Sequence, residues 1–362
     1  MKNILITGGA GFIGSNFIHH LLAHRKEIAI TNLDVLTYSG NLDNLNDIRE
    51  LERYHFIKGD ICNPDGTNCL FQKKAIDAVL HFAAESHVDR SILNPMLFVQ
   101  TNVVGTANLL RNALDCWQRM DSKKKKAFRF VHISTDEVFG SLEKDEPAFN
   151  EATPYAPNSP YAASKAASDL LVRSYVQTYG FPAIITNCSN NYGPYQFPEK
   201  LIPLVIMNAI EGKPLPIYGD GQQVRDWLYV EDHCRALLSV LEKGGVGEMY
   251  AIGGNNQPSN LQIVTSICEI LDKLLPGSPF RPHARLIQFV EDRPGHDRRY
   301  AMNTQKIKEE LGWQPRENLE SGLEKTVRWY LKNGAWIEKI RSRPDYHAWL
   351  RTNYTQRGAD SK

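Results

Sequence analysis

The sequence predicts an α/β fold, a Rossmann-type doubly wound parallel sheet with a smaller, mostly helical C-terminal substrate lobe. Short β-branched runs alternate with longer segments of helical periodicity through the first half of the chain, which is typical of βαβ units. A glycine-rich stretch at residues 8–14 directly follows the first of these runs. Turn residues become frequent after Cys188, so the regular alternation is expected to end there.

Six strands are predicted, at residues 3–7, 28–33, 54–58, 77–82, 128–134 and 183–188. Helices are predicted between them, at about 13–24, 42–52, 67–74, 96–118 and 161–178. Six strands joined by helical crossovers match the size of a doubly wound sheet. Residues 1–188 are therefore expected to form a dinucleotide-binding Rossmann domain that also carries the catalytic residues.

Residues 189–362 are expected to form mainly a lobe that binds the substrate, with some return to the sheet. Asn, Pro and Gly are closely spaced between 190 and 221, so a regular crossover is not expected there. Loops of this kind beside a rigid sheet often carry binding groups. Helices are predicted further on, at 261–274, 304–311 and 319–332.

Composition and charge narrow the class of protein. The chain has 362 residues, and 42 Lys and Arg against 41 Asp and Glu leave a formal charge of +1, which gives no overall attraction for nucleic acid or anionic lipid. The six cysteines contain no Cys-x-x-Cys pair, so neither a disulfide framework nor a metal site is predicted. No run approaches the roughly 18 to 20 apolar residues of a membrane span, so no membrane partner and a cytoplasmic location are expected.

The first strand and the glycines after it predict a dinucleotide site. Gly8 and Gly9 allow positive φ angles in a tight turn. Gly11 lets the backbone approach a pyrophosphate, and Gly14 lets helix and strand pack closely. The N-terminus of the following helix offers free N–H groups and a positive dipole end to the phosphates.

The residues after the second, third and fourth strands fit the same site. Asp34 stands twenty residues beyond Gly14, where a carboxylate can accept hydrogen bonds from the adenosine ribose and repel a 2′-phosphate, which favours NAD over NADP. Aspartate at a strand end is also a common turn former, so Asp34 is informative only beside the glycine turn. The other strand ends that would line this crevice are occupied by Asp60, Ile61, Ala83 and Ala84.

Tyr161 and Lys165 form a Tyr-x-x-x-Lys motif at the start of a predicted helix, which places both side chains on one face. An ammonium about 4 Å from a phenol contributes about 4 kcal/mol at an effective dielectric constant of about 20, or roughly three pKa units. The motif therefore predicts a tyrosinate that takes a hydroxyl proton while hydride leaves for nicotinamide. Tyr and Lys also occur four residues apart by chance, so the motif gains its weight from the glycine turn.

Thr135, Asp136 and Glu137 follow the fifth predicted strand, at the edge of the sheet where doubly wound folds bind ligands. Beside a pocket of low dielectric constant, one carboxyl group can stay protonated as an acid while the other stays ionised as a base. Alternatively, the three residues form a helix N-terminus in which Thr135 is the cap and the carboxylates favour the dipole. The residues by themselves favour neither interpretation.

Together these motifs resemble the extended short-chain dehydrogenase/reductase superfamily, and within it the nucleotide-sugar 4,6-dehydratases, from Gly8 to about Tyr330. The most specific segments are Ala-Ala-Glu-Ser-His-Val-Asp-Arg-Ser at 83–91, Ser-Thr-Asp-Glu-Val at 134–138, Asn-Cys-Ser-Asn-Asn-Tyr-Gly-Pro-Tyr at 187–195, Arg-Asp-Trp-Leu-Tyr-Val at 225–230 and Asp-Arg-Pro-Gly-His-Asp-Arg-Arg-Tyr at 292–300. Related epimerases generally lack the adjacent acid and base. Phe139 and Ala162 depart from the usual pattern, and neither replaces a reacting group.

The resemblance implies a substrate, dTDP-glucose, and a mechanism. Tyr161 would be the base on the glucosyl C4 hydroxyl, with Lys165 lowering its pKa and binding the nicotinamide ribose. Glu137 would then remove the C5 hydrogen while Asp136 protonates the departing C6 hydroxyl, and Thr135 would polarise the C4 oxygen. NAD would stay bound and carry the hydride from C4 to C6. The product would be the 4-keto-6-deoxy sugar.

The resemblance also assigns binding residues. NAD would be held by Gly8, Gly11, Phe12, Ile13, Gly14, Asp34, Thr37, Asp60, Ile61, Ala83, Ala84, Ser86, Thr101, Tyr161, Lys165 and Asn191. The nucleotide sugar would be held by Ser86, Thr135, Asn190, Lys200, Leu201, Pro216, Ile217, Tyr218, Arg225, Asn260, Asp292, Arg293 and His296. Arg225, Arg293 and His296 have the charge to meet a pyrophosphate, although Arg225 beside Asp226 is equally compatible with a surface ion pair.

The same resemblance implies a homodimer whose four-helix interface is formed by the helices at about 96–118 and 161–178. Two other functions remain open from the sequence. A C4 epimerase of the same superfamily would share the glycine turn and the Tyr-x-x-x-Lys pair. A non-catalytic NAD-binding regulatory protein would keep the cofactor site without using the reacting residues.

Overall fold

The computed structural model describes residues 1–292, 295–344, 346 and 348. The strands are β1 (Asn3–Thr7), β2 (Ala29–Asp34), β3 (Tyr54–Lys58), β4 (Ala78–His81), β5 (Arg129–Thr135), β6 (Ala183–Cys188), β7 (Asn190–Tyr192), β8 (Leu215–Tyr218), β9 (Trp227–Tyr229), β10 (Met249–Ile252) and β11 (Ile287–Val290). The α-helices are α1 (Phe12–His24), α2 (Pro64–Lys73), α3 (Val88–Leu93), α4 (Pro95–Phe98), α5 (Thr106–Gln118), α6 (Ser122–Ala127), α7 (Pro160–Tyr179), α8 (Leu201–Ile210), α9 (Val230–Lys243), α10 (Asn260–Leu274), α11 (Gln305–Leu311), α12 (Leu319–Lys332) and α13 (Gly334–Arg341).

Seven strands form one parallel sheet in the order β10-β6-β5-β4-β1-β2-β3. The strand order reverses between β1 and β4, where Ile4 pairs with Ile30 of β2 on one side and with Ala78 of β4 on the other. In an open α/β sheet such a reversal leaves a crevice at the carboxyl ends of the strands, and ligands bind there. The predicted doubly wound sheet is confirmed.

Apolar side chains cover both faces of this sheet. On one face, Phe17 and Ile18 of α1 pack with Leu237 of α9. On the other face, Leu109 of α5 and Val172 of α7 belong to a second buried cluster. Burial on both faces explains why the strands read as continuous apolar runs in the sequence. Within the described residues, no helix is both long enough and apolar enough to cross a membrane.

The region after β6 contains a strand of the main sheet that the sequence did not predict individually. The chain returns to the sheet through α9, and the seventh strand, β10, pairs in parallel with β6 through Tyr250 and Thr186. The Ser189 N–H donates to the Ile252 carbonyl at 2.9 Å, which ties the end of β10 to the chain leaving β6. The sequence analysis did not predict β10, because a strand of four residues is too short to show a periodic pattern of apolar residues. The turn-rich segment also contains α8, whose Pro203 lies in the first turn, where a helix needs no N–H donor.

Two predicted helices differ in form. The segment predicted as a helix at 42–52 is a 3₁₀ helix, Leu42–Ile48, with a kink at Leu45, where φ is −125°. The helix predicted at 96–118 contains a π-helical segment, Val99–Gly105, between α4 and α5. Such segments are frequent at functional sites, and this one carries Thr101 into the crevice.

A third group of buried side chains forms the core of the C-terminal part. Ile206 of α8, Ile263 of α10 and Trp336 of α13 pack together there with the short parallel pair β7 and β9. The Tyr330 hydroxyl donates to the Gln196 carbonyl at 2.6 Å, which ties α12 to the loop after β7. The Asn16 Nδ2 of α1 donates to the Pro194 carbonyl at 2.9 Å, so this loop lies against the helix that follows the glycine turn, and residues of the loops between β6 and α9 line the crevice.

Candidate active site

A cleft of about 500 Å³ runs along the carboxyl ends of the strands. It is lined by all of the predicted catalytic and cofactor residues and by most of the predicted substrate residues: Gly8, Gly11, Phe12, Ile13, Gly14, Asp34, Thr37, Asp60, Ile61, Ala83, Ala84, Ser86, Thr101, Thr135, Asp136, Glu137, Tyr161, Lys165, Asn190, Asn191, Lys200, Leu201, Pro216, Ile217, Tyr218, Arg225, Asn260 and His296. The cleft is of the size that takes a cofactor and a small-molecule substrate.

The glycine turn leaves bare backbone at one end of the cleft. Gly8 has a φ of +73°, and a Cβ there would lie 2.5 Å from the Ala83 nitrogen. A Cβ on Gly14 would lie 2.4 Å from the Gly8 carbonyl oxygen, whereas one on Gly11 would meet little besides the cleft. Helix α1 begins after Gly11 with no side-chain cap, so its first N–H groups remain available to phosphates. This set of donors fits the pyrophosphate of NAD.

Asp34 closes the adenosine end of this site. Its carboxylate accepts hydrogen bonds from the Ala10 N–H at 2.9 Å and the Leu36 N–H at 2.8 Å. Burial raises the pKa of this carboxyl group, and the two N–H donors oppose that rise. The two backbone contacts hold the carboxyl group in one position beside the glycine turn. A group that binds a ribose needs such a fixed position.

Tyr161 and Lys165 lie in the first turns of α7, which begins with Ser159 as its N-cap. Burial and then the Glu137 charge raise the pKa of Tyr161 well above its ordinary value. The Lys165 Nζ donates to the Ile133 carbonyl at 2.8 Å, and burial lowers its pKa. In this arrangement burial and Glu137 raise the pKa of the phenol, and the lowering of that pKa by Lys165 stays a prediction.

The corner after β5 satisfies both interpretations of the Thr-Asp-Glu triplet. Thr135 is the N-cap of a 3₁₀ turn, Asp136–Phe139, and its Oγ1 accepts the Glu137 N–H at 3.3 Å. The two carboxyl groups nevertheless line the cleft. Capping thus turns the chain out of the strand at Thr135, and that turn brings both acids to the same cavity.

Asp136 has the surroundings of a protonated acid. It is 1% exposed, and burial, then Glu137, then Asp226 raise its pKa well above the ordinary value. The Asp136 Oδ2 has no hydrogen-bond partner among the described residues. A buried carboxyl group beside another carboxylate keeps its proton most easily, so Asp136 can donate one to a group in the cleft.

Arg225 lies at the other side of Asp136 and is not part of a surface ion pair. The guanidinium is buried, donates to the Val224 and Asp297 carbonyls at 2.8 and 2.9 Å, and stacks on the Tyr300 ring with 4.2 Å to its centroid. Asp226 instead accepts the Gly254 N–H at 3.1 Å.

Of the remaining predicted substrate residues, some line the cleft and others do not. The Lys200 Nζ donates to the Ser86 carbonyl at 3.3 Å across the cleft. His296 lines the cleft, whereas Asp292 lies behind it and accepts from the His296 Nδ1 at 2.6 Å. Asp292 also accepts from the Gln223 Nε2 at 2.9 Å. Arg293 lies outside the described residues.

The sequence reasoning missed several residues that line the cleft: Tyr38, Glu85, His87, Cys188 and Glu199. The Arg90 guanidinium lies 3.8 Å from the centroid of the Tyr38 ring and 3.1 Å from the Glu199 carboxylate. Glu85 lies between the predicted residues Ala84 and Ser86, and Glu199 directly precedes the predicted Lys200. This adjacency in the sequence is the signal that could have found them. Their polar character gave no reason to choose them over solvent-exposed loop residues.

Comparison with known proteins agrees with this geometry. The model of the GDP-mannose 4,6 dehydratase family matches residues 5–326. A dTDP-glucose 4,6-dehydratase of Shigella flexneri is 54% identical and covers 98% of this chain and 99% of its own length.

Two solved structures are similar over most of the chain. The dTDP-glucose 4,6-dehydratase of Bacillus anthracis, in complex with NAD, has a TM-score of 0.82 and 46% identity, covering 94% of this chain and 100% of its own. The enzyme of the same description from Streptomyces venezuelae, with NAD and a second ligand bound, has a TM-score of 0.84 and 45% identity at the same coverage. The predictions of a dehydratase and of NAD as cofactor are confirmed. The chain belongs to the GDP-mannose 4,6-dehydratase family, and the relatives named here are its dTDP-glucose 4,6-dehydratases.

Proposed function

We propose that this chain converts dTDP-glucose into dTDP-4-keto-6-deoxyglucose, with NAD as its cofactor. One observation carries the proposal: Asp136 and Glu137 line the same cleft as Tyr161 and Lys165, with the glycine turn at its far end. A C4 epimerase needs the Tyr-Lys pair but no acid and base for an elimination. We further propose that residues 1–188 hold NAD, that residues 189–362 mainly hold the nucleotide sugar, and that the enzyme is cytoplasmic.

The first half of the reaction is oxidation at C4. NAD held in the cleft by the glycine turn and Asp34 would supply a hydride acceptor for C4 and, once reduced, a hydride donor for C6. Tyr161 accepts the proton of the C4 hydroxyl, and Thr135 donates a hydrogen bond to the C4 oxygen. Because burial and Glu137 raise the pKa of Tyr161, loss of its proton depends on positive charge reaching the site, and Lys165 is the nearest cation that this chain supplies on the same helix.

The second half is loss of water. The C4 ketone acidifies the C5 hydrogen, so Glu137 takes that proton as the C5–C6 double bond forms. Asp136 gives its proton to the C6 hydroxyl, and the C6–O bond breaks to release water. When the hydride reaches C6, a proton returns to C5 from Glu137. The surroundings of Asp136 support this assignment, since its raised pKa keeps a proton available at neutral pH.

The nucleotide diphosphate is proposed to lie at the end of the cleft formed by the C-terminal part. Arg225 and His296 face this end, and a guanidinium binds a pyrophosphate through two parallel hydrogen bonds. Lys200 reaches across the cleft to Ser86 and adds a third positive group. Asp292 orients His296 rather than touching the ligand, because its carboxylate accepts from the His296 Nδ1.

Incubation of the NAD-loaded protein with dTDP-glucose in heavy water is expected to give a product with a C6 methyl group and one deuterium at C5. The deuterium appears because the proton on Glu137 exchanges with solvent before it returns to C5. Nuclear magnetic resonance of the sugar measures both signals. A galactosyl product without a methyl group indicates an epimerase instead, and unchanged substrate contradicts both enzymatic proposals.

We also propose that two copies of the chain associate through the helices at 95–118 and 160–179. Large apolar side chains are exposed on these segments, with Met96 68%, Val104 44% and Leu170 55% exposed. An apolar surface of this kind on one face is typical of a protein interface. Pairing α5 and α7 of one copy with those of another forms a four-helix interface that covers it.

The double substitution Met96→Glu and Leu170→Glu is expected to shift the protein from dimer to monomer in sedimentation velocity, because charge replaces apolar contact area. Phe289→Glu is the matched control, since Phe289 is 55% exposed on β11, outside these helices. A monomeric unsubstituted protein contradicts the proposal. Equal dissociation by the control would show that the helices are not the interface.

A further inference from the structure

A buried carboxylate that the mechanism does not use lies beneath the reacting residues. Asp169 belongs to α7, four residues beyond Lys165, and its side chain is 0% exposed. Its Oδ2 accepts three hydrogen bonds, from the Ser134 hydroxyl at 2.8 Å, the Tyr155 hydroxyl at 3.1 Å and the Asn187 Nδ2 at 3.1 Å. A fully buried carboxylate is expensive unless it is well paired, so its retention here calls for a reason.

The three donors come from different parts of the fold. Ser134 is the residue before Thr135 in β5, and Asn187 belongs to the neighbouring strand β6. The same Asn187 Nδ2 also donates to the Thr135 carbonyl at 3.1 Å. The Asp169 carboxylate thereby joins the end of β5, where the acid and base turn into the cleft, to the helix that carries Tyr161 and Lys165.

The other oxygen of Asp169, Oδ1, lies 3.2 Å from the His132 Nε2, and one turn before Asp169 on α7 is a buried cation, Lys165. Lys165 is buried, and the Asp169 charge opposes the effect of burial on its pKa. The groups that face Lys165 from the neighbouring strands are His81 of β4, His132 of β5 and Cys188 of β6. Burial lowers the pKa of His132 to about 4 and that of His81 well below its ordinary value, and it raises the pKa of Cys188 to about 12. These three groups are therefore neutral near pH 7, and none of them balances the Lys165 charge.

We propose that Asp169 is a positioning residue of the reaction, which fixes the acid and base corner relative to Tyr161 and serves as the counter-ion of the Lys165 ammonium. The inference rests on the proposed dehydratase function. Its geometric part follows from the three hydrogen bonds that converge on one oxygen. Its electrostatic part follows from the burial of Lys165 and from the neutrality of the other groups around it.

The substitution Asp169→Asn removes the negative charge of the side chain and keeps its shape. The amide oxygen of asparagine can accept the same three hydrogen bonds, but the negative charge is lost. Without it, Lys165 gives up its proton at lower pH, so the alkaline limb of the kcat profile is expected to move down by at least about one pH unit. Because the three hydrogen bonds are retained, the corner is expected to stay in place, and any fall of kcat at neutral pH follows from the earlier loss of the Lys165 proton.

Tyr155→Phe is the matched control, because it removes one of the three donors and leaves the charge. It is expected to lower kcat slightly and to leave the alkaline limb in place. A wild-type profile for Asp169→Asn overturns the proposal, and so does an equal shift of the limb in both variants. If Asp169→Asn does not fold, the double variant Ser134→Ala and Tyr155→Phe tests positioning: elimination is expected to slow relative to C4 oxidation, and wild-type rates for both steps overturn the inference.

A titration that needs no turnover separates this inference from the proposed function. In protein with NAD bound and ¹⁵N-labelled lysine, the Lys165 Nζ signal is assigned by its absence in Lys165→Met. This signal is expected to titrate at lower pH in Asp169→Asn than in the unsubstituted protein and in Tyr155→Phe. Identical titrations contradict the counter-ion role, whether or not the protein turns over dTDP-glucose. If the protein does not turn over dTDP-glucose but the Lys165 titration is shifted in Asp169→Asn, only the proposed function is contradicted.

Discussion

Tyr161→Phe is expected to abolish oxidation at C4, with a loss of activity of about 10²- to 10⁴-fold. The phenol is the group placed to take the C4 hydroxyl proton, and phenylalanine keeps the ring that packs edge-on against Phe98, with 6.3 Å between the ring centroids. The fold and the cofactor site are therefore retained while the proton acceptor is lost. Mixing the NAD-loaded variant with dTDP-glucose is expected to give no near-ultraviolet absorbance of reduced nicotinamide.

Tyr179→Phe is the matched control on the same helix. Tyr179 is 49% exposed and does not line the cleft, so its hydroxyl has no part in the proposed reaction and full activity is expected. Reduced nicotinamide formed at the normal rate by Tyr161→Phe would show that another group removes the C4 proton. Binding of dTDP-glucose without any oxidation by the unsubstituted chain would instead favour a regulatory protein.

Asp136→Asn and Glu137→Gln are expected to stop the reaction after C4 oxidation. General acid and base catalysis each contribute about 10²- to 10⁴-fold, so loss of either group slows elimination by that order while the Tyr161 step proceeds. Reduced nicotinamide is therefore expected to accumulate in both variants. Rapid-quench analysis is expected to find the 4-keto sugar that retains its C6 hydroxyl.

Heavy water separates the two roles. Asp136→Asn keeps the base, so deuterium is expected to enter C5 of the 4-keto sugar, whereas Glu137→Gln is expected to show no exchange there. Asp145→Asn and Glu146→Gln are the matched controls, because they form a second Asp-Glu doublet that is exposed. Full turnover by either cleft variant would show that acid and base are misassigned, and exchange only in Glu137→Gln would reverse the two roles.

The pH dependence of elimination follows from the direction of the Asp136 shift. Burial and the Glu137 charge raise the pKa of Asp136, so the group keeps its proton to a higher pH than an ordinary aspartate does and loses it as the pH rises through that raised value. Elimination is therefore expected to fail on the alkaline side. An ordinary aspartate would already be ionised near pH 4 and would have no proton to give.

The sequence predicted the strands of the first 188 residues closely because short β-branched or apolar runs alternate there with longer segments of helical periodicity, although two of the predicted helices differ in form. The strands at 3–7, 54–58 and 183–188 lie where they were expected. The region after β6 was less predictable, because β10 spans only Met249–Ile252 and α8 is apolar on nearly all sides. Neither has the periodic contrast between buried and exposed faces on which such predictions depend.

The composition of the candidate site was also largely readable, since glycines, the Tyr-Lys pair and the adjacent acids are chemically distinctive. The pKa values of the groups in the site could not be predicted from the sequence. The spacing of Tyr161 and Lys165 predicted a lowered pKa for the phenol, but burial and Glu137 raise it. A pKa depends on solvent exclusion and on charges that are distant in sequence, and neither is encoded in the spacing of two residues.

By itself, the order of residues determined the parallel sheet and the dinucleotide turn, because local periodicity and residue chemistry are sufficient for these, and the predicted reacting groups came from motifs read together with a family resemblance. Only the tertiary structure decided that the acids of the β5 corner share a cleft with Tyr161. It also decided that Asp136 is buried enough to keep a proton and that Asp169 joins β5, β6 and α7. These properties arise from contacts between segments far apart in the chain, where burial and converging hydrogen bonds set the charge of each group.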